Sequence, residues 1–176
     1  MIDIETLATS HDAVITQIGA CVFDLHSDGY ESFRFDINWR DQLDRKIDPE
    51  TLSWWLDQEE AAIRSALLHG GFRDLWSTIK LYLHNLLMGA DRVWANDPTF
   101  DLAILRDAGL EHSFRKERSC RTMFDLSVLL SLPSVHEVSE AEVKHDAEHD
   151  AIYQAQCMRA IFKDLKALGA EKCLIS

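Results

Sequence analysis

Asp3 and Glu5 flank Ile4 near the start of the chain, Asp101 follows Phe100 in its middle, and Asp150 closes the run His145-Asp146-Ala147-Glu148-His149-Asp150. Carboxylate oxygens are hard ligands, and two carboxylates held side by side repel one another unless a cation or a proton resolves the charge. Such a set suits divalent cations. Each residue taken singly also has a plainer reading: Asp3 and Glu5 as a solvent-facing acidic pair, Asp101 as a surface aspartate, His149 as a solvated histidine. The last run is also formally H-x-x-E-H, a zinc-protease signature in which His145 and His149 would be ligands one helical turn apart.

The elements that must carry these residues follow from periodicity. Residues 2–6 and 13–24 are dominated by β-branched and apolar residues and are predicted strands. Side chains two apart on a strand share a face, so Asp3 and Glu5 lie side by side while Ile2 and Ile4 face the core. His26-Ser27-Asp28-Gly29 makes a hairpin turn, and residues 30–38 alternate Phe33, Phe35 and Ile37 against Arg34 and Asp36. Three antiparallel strands therefore open the chain. Asp48-Pro49-Glu50 starts a helix that carries Leu52, Trp55 and Leu56. Adjacent helical residues cannot share one face, which places Trp55 in the core with Leu52 and leaves Trp54 exposed to stack on a base.

Helical patterns continue over residues 59–68 and 72–88, separated by Gly70-Gly71, and residues 92–95 form a brief strand. Asp97 reads as a helix cap with Pro98 at the first helical position, which puts Asp101 past the first turn of a helix ending near Gly109. After the basic stretch 115–121 come a helix at 122–131, a polar loop around Pro133 and a long helix over 147–168. The apolar stripe of that last helix is Ala151, Ala155, Met158, Phe162 and Leu165. At about 100° per residue, Asp150 lies on the edge of the stripe and His149 points away from it, towards water. A helix extended back to His145 would turn both imidazoles into solvent, which weighs against zinc. Strands first, then helices interleaved with short strands, give an α/β or α+β layer with a mixed sheet.

Composition narrows the function further. The 176 residues are 47% hydrophobic with seven Gly and three Pro, enough to fill one core, and a single domain over 1–176 is expected. Lys plus Arg number 18 against 30 Asp plus Glu, a net charge of −12, which argues against gripping long nucleic acid by a basic face. It leaves room for an enzyme acting on a short strand end, where bound cations reverse the local sign. Cys21, Cys120, Cys157 and Cys173 form no CxxC or Cys/His knuckle, so thiols in a reducing cytoplasm are expected. No run approaches the roughly 20 apolar residues of a membrane span and no signal peptide is evident, so a soluble cytoplasmic protein without membrane partners is expected.

Together the motifs resemble the DEDDh exonuclease family, which includes RNase T, oligoribonuclease and the proofreading subunits of bacterial DNA polymerases. Asp3-Ile4-Glu5-Thr6 is similar to the family's first motif. Asn96 through Asp101 resembles its Asn-x-x-Phe-Asp motif with one extra residue, and His145 through Asp150 its His-x4-Asp motif. The stretch TLSWWLDQ at 51–58 additionally resembles a bacterial and phage subgroup related to a mycobacterial adenylate-specific exoribonuclease. The resemblance implies an RNase H-like fold: a mixed five-stranded sheet, three strands antiparallel and two parallel, flanked by helices. It implies two Mg²⁺ or Mn²⁺ ions, with Asp3 bridging them, Glu5 and Asp150 completing one site and Asp101 holding the other. His145 would be the general base. Thr6 and Leu7 would line the terminal-nucleotide pocket with Asn96 and Phe100 nearby. The substrate would be the 3′ end of single-stranded RNA, with DNA as the other possibility, cut to nucleoside 5′-monophosphates.

By the same resemblance Arg115, Lys116, Arg118 and Arg121 form the candidate basic patch for the upstream strand, and a homodimer is the expected assembly. The sequence departs from the family in having only Met1 and Ile2 ahead of Asp3, and Ala8 where a Gly usually follows the first motif. Those departures imply a looser site or a start upstream of Met1. A non-catalytic nucleic-acid-binding module of the same fold is the remaining alternative; retention of all four carboxylates and the histidine argues against it.

Overall fold

The structure, a computed structural model, describes residues 1–68, 76–110 and 116–170. Gly70-Gly71, Arg115 and Cys173 lie outside the described residues. Ile2–Thr6 (β1), Ile15–Phe23 (β2) and Tyr30–Asp36 (β3) form an antiparallel sheet in the order β1-β2-β3. Residues directly opposite one another in such a sheet project to the same face. The register sets Asp3 opposite Gly19 and Gly19 opposite Arg34; beside that row, Glu5 faces Gln17 and Gln17 faces Asp36. One face of the sheet is thus polar at its centre. On the other, Ile4, Ile18 and Phe35 form one row and Ile2, Ala20 and Phe33 the next.

Each face receives its own helices. Pro49–Leu56 (α1) is capped by Asp48, Glu60–Ala66 (α2) follows, and Trp76–Met88 (α3) sends Ile79, Leu83 and Leu87 into the apolar face. Val93–Ala95 (β4) leads into Asp101–Leu105 (α4), which adds Leu102 and Leu105 to the same core and ends in a turn at Gly109, φ +92°. A glycine there avoids the steric penalty of a side chain at positive φ. Glu117–Ser119 (β5) pairs in parallel with β4, and Cys120–Leu129 (α5) follows it directly. The last helix, Ala147–Ala167 (α6), covers the polar face of the sheet, with Ala151, Ala155, Met158 and Ile161 packed among Cys21, Trp94, Cys120 and Met123. All five residues expected in its apolar stripe are buried.

The protein is a mixed α/β structure with three antiparallel and two parallel strands, but among the described residues the strands hydrogen-bond as two sheets, not as one of five. The reason lies in the strand lengths: β4 and β5 span three residues each, and β4 is held against β1 by side-chain packing of Ile2, Ile4, Val93 and Ala95 in one core. Other differences from the sequence expectation are local. β5 arises inside the basic stretch 115–121, where the sequence predicts no strand. Asp97 does accept from the Thr99 amide at 3.0 Å, yet the regular helix begins only at Asp101, so that carboxylate stands in the first turn. Leu52 is 37% exposed and outside the core, whereas Trp55 is 1% exposed in a cluster with Leu7, Val14, Ala62 and Ala66. Among the described residues no helix is long and apolar enough to cross a membrane.

Candidate active site

β1 ends where the polar face of the sheet meets the start of α6, and the acidic residues converge there. Ligand atoms of Glu5, His145 and Asp150 lie within 4.8 Å of one another. Asp3 and Asp101 sit close enough for their charges to act on this group. β1 brings Asp3 and Glu5 by strand alternation. β4 runs beside β1, so the first turn of α4 holds the buried Asp101 against the Ile4 amide, and Asp101 also accepts from the Asp97 amide at 3.3 Å. Asp150 arrives one turn into α6. β1 is paired from its first residue: Ile2 pairs with Ala20, and the Met1 amino group donates to the Cys21 carbonyl at 2.8 Å.

Burial first, and then like charge, shifts these four carboxylates towards their neutral forms. Burial, then the charges of Asp101, Glu5 and Asp150, hold Asp3 well above the usual carboxylate range; a hydrogen bond from Gln154 Nε2 to Asp3 Oδ1, 2.8 Å, opposes this. Glu5 is raised by burial and then by Asp150, Asp101 and Asp146. Asp101 is pushed up to about 7 by burial, against the backbone amides that favour its charged form. Asp150 is raised by burial despite accepting the His145 amide. A cluster of oxygens with this deficit of positive charge, joined by one imidazole, fits Mg²⁺ or Mn²⁺, whose binding would restore the charged forms.

His145 stands just ahead of α6 with φ +59°, a region few non-glycine residues adopt, and its amide donates to Asp150 Oδ2 at 2.9 Å. Its ring lies edge-on to two indoles, 4.9 Å from Trp54 and 6.1 Å from Trp55. Trp55 anchors α1 to the end of β1, with Nε1 donating to the Thr6 carbonyl at 2.9 Å. Trp54, 44% exposed, is the more open indole, as its place on the helix predicts. Because the helix starts at Ala147, His145 and His149 do not stand one helical turn apart, and His149 is not in the group with Glu5 and Asp150. The H-x-x-E-H geometry is therefore not formed.

The remaining expected residues differ in exposure. Thr6 and Leu7 are buried; the Thr6 hydroxyl donates to the Ala8 carbonyl at 2.8 Å, and Leu7 belongs to the Trp55 cluster. Phe100 is half-buried against the main core, and the Asn96 carbonyl accepts from the Ser119 hydroxyl and the Arg121 amide, each 3.2 Å, fastening β4 to α5. Of the basic patch, Lys116 and Arg121 are exposed and Arg118 half-buried, while Arg121 lies 3.6 Å from Asp97. His149 is half-buried, its Nδ1 enclosed and without a hydrogen-bond partner among the described residues, so its ring is not wholly turned to water. One apolar stripe understates the coverage of α6, which packs on all three strands of the larger sheet and on α5.

Sequence reasoning missed Gln154, which orients Asp3, and Gln17, whose Oε1 accepts the Ala147 amide at 2.6 Å. It missed Gly19 as well: a Cβ there would fall 1.8 Å from the Ala147 carbonyl oxygen, so only glycine lets α6 rest on the sheet. A signal was present in the β2 segment Ile15-Thr16-Gln17-Ile18-Gly19-Ala20, where a glutamine and a glycine fall on the face that the carboxylates share.

No curated protein and no solved structure matches the chain. The sequence model of one family, described as the 3′–5′ exoribonuclease Rv2179c-like domain, matches residues 1–162. That span contains β1, β4 and the start of α6, the elements on which the acidic cluster stands; the chain belongs to the Rv2179c-like 3′–5′ exoribonuclease domain family.

Proposed function

We infer that the protein is a DEDDh-type 3′–5′ exonuclease that removes nucleoside 5′-monophosphates from the 3′ end of single-stranded RNA, with DNA a secondary substrate. The observation that carries this reading is the convergence of Asp3, Glu5, Asp101, Asp150 and His145, drawn from distant parts of the chain, into one cluster of carboxylates with raised pKa. The order β1-β2-β3, with β4 beside β1 and β5 parallel to β4, supports an RNase H-like arrangement.

Asp3, Glu5, Asp101 and Asp150 would hold two Mg²⁺ or Mn²⁺ ions, which when bound supply Lewis acidity and charge neutralisation at the scissile phosphate. His145 accepts the proton of the attacking water at a ring nitrogen. The water oxygen bonds to phosphorus as the bond from phosphorus to the 3′ oxygen breaks; the phosphate leaves on the released nucleotide, and the 3′ oxygen stays on the shortened strand and takes up a proton from solvent. Asp150 fixes the His145 backbone, and the indoles of Trp54 and Trp55 restrict the swing of its ring. The exposed part of Trp54 gives the terminal base a surface to stack on.

The test uses single-stranded RNA and DNA oligomers labelled at either end, incubated with Mg²⁺ or Mn²⁺. A 3′-labelled RNA should release labelled mononucleotide at once, a 5′-labelled one should shorten in a ladder, and EDTA should stop both. Activity that persists in EDTA, or early loss of a 5′ label, refutes the reading.

A further inference from the structure

We propose that Arg34, seconded by Gln17, is a positioning residue for the reaction: it clamps the capping residue of α6 so that His145 and Asp150 meet Glu5. The proposal rests on the exonuclease reading of the site.

Arg34 lies on the polar face of the sheet, in register with Gly19 and through it with Asp3. Its Nη1 reaches Asp146 Oδ2 at 2.5 Å, its Nε and Nη2 hold Asp36 Oδ1 at 3.2 and 3.1 Å, and Nη2 also donates to the Ser65 carbonyl at 3.1 Å. Asp146 is buried and accepts from the Ser65 hydroxyl too. Its other oxygen caps α6, accepting the Glu148 and His149 amides, both at 3.1 Å. Gln17, also buried, takes the Ala147 amide and donates to Asp36 Oδ1 at 3.1 Å and to the Ser65 carbonyl at 3.4 Å. The amides of Ala147, Glu148 and His149 are thus satisfied by side chains fastened to β2, β3 and α2.

An aspartate cap needs none of this to start a helix, because its own oxygens suffice. Nor is an enclosed ion pair an economical source of stability, since desolvation offsets most of the attraction and an apolar contact of similar volume often serves as well. What several directed hydrogen bonds on one guanidinium add is orientation. The oriented segment is the one that matters for the chemistry: His145 immediately precedes Asp146, and Asp150 donates its amide to the Asp146 carbonyl at 2.9 Å, one turn on.

Two variants and two readouts test this. Arg34→Met should lower kcat on a 3′-labelled RNA by about 10–100-fold, the range found when residues behind metal ligands are removed, with KM changed by less than about threefold. By NMR hydrogen exchange, the amides of Ala147, Glu148 and His149 should lose protection while those of Ile18 and Ala20 in the β2 ladder keep theirs. Arg34→Met/Asp146→Asn removes the unpaired carboxylate but keeps a capping side chain, so Tm should return towards wild type. If Arg34 positions the site, kcat stays low in this double variant. Recovery of kcat together with Tm, or a kcat within about twofold of wild type in Arg34→Met, overturns the proposal. A wild-type protein inactive on the labelled RNA with Mn²⁺ removes the exonuclease reading and the proposal with it, whereas an active wild type with an unimpaired Arg34→Met removes the proposal alone.

Discussion

Two histidines four residues apart have different environments, and the proposed function gives them different roles. His145 is ahead of α6, wedged against Trp54 and joined through its backbone to Asp150; His149 is inside the helix with one ring nitrogen enclosed. In the proposed mechanism His145 is the general base, needed for proton transfer but not for the fold, so His145→Ala should lower kcat by about 10²–10⁴-fold. Mn²⁺ binding by the carboxylates, followed by titration calorimetry, should change little. His149→Ala should leave kcat within about threefold of wild type. Equal damage from both substitutions, or loss of Mn²⁺ binding in His145→Ala, would show that His145 is a ligand and not the base. Gln154 belongs to the same scale: its amide opposes the repulsion that surrounds Asp3 and fixes the direction of that carboxylate.

The seating of α6 on the larger sheet decides whether these residues meet at all. Gly19 permits backbone-to-backbone contact, and the obstacle to any larger residue is the Ala147 peptide itself, not the movable end of a side chain. Gly19→Ala must therefore lift the start of α6 away from β2 or distort both. Overpacking of this kind costs about 1–3 kcal/mol or more, which urea unfolding would measure as a lower midpoint at unchanged slope. Turnover should fall further than stability alone explains, since the lift separates Asp150 from Glu5. A variant with wild-type kcat would mean that the two elements have room that the structure does not give them. At the other end of the site α1 is held by Trp55, whose ring nitrogen donates to the carbonyl of Thr6 and so ties the end of the first acidic motif to the aromatic helix.

For the molecule as a whole, the acidic cluster sets how stability depends on pH. Asp101 is raised from 3.8 to about 7 by burial, and Asp3 and Glu5 are raised as well. Between those values the folded protein binds more protons than the unfolded chain, so stability falls as pH rises. The favourable contribution is fully present below about pH 4 and is lost through about pH 7, and the net charge of −12 acts in the same direction. Without divalent cations, Tm should therefore drop by several degrees between pH 5 and pH 8. If the cluster holds divalent cations as proposed, saturating Mn²⁺ should remove most of the drop by binding the charged carboxylates of the folded state. Asp101→Asn should flatten the cation-free profile, and a profile as steep as that of the wild type would place the titration elsewhere.

Much of this was legible in the sequence because it depends on local periodicity. Strand alternation puts Asp3 and Glu5 on one face, the Asp48-Pro49 cap starts α1, and every member of the apolar stripe of α6 is buried. The faces of Trp54 and Trp55 follow from the same rule. What local pattern cannot carry is contact between distant segments. The meeting of Arg34 with Asp146, of Gln17 with the Ala147 amide and of Gly19 with its carbonyl depends on how β2 and β3 lie beneath a helix more than a hundred residues further on. The enclosure of His149 depends likewise on what covers α6 from several sides. The residue types and spacings of the sequence determine which groups can do chemistry; only the packing of α6 on the sheet decides how they are aimed, because direction is set by close contacts between elements that have no fixed relation along the chain.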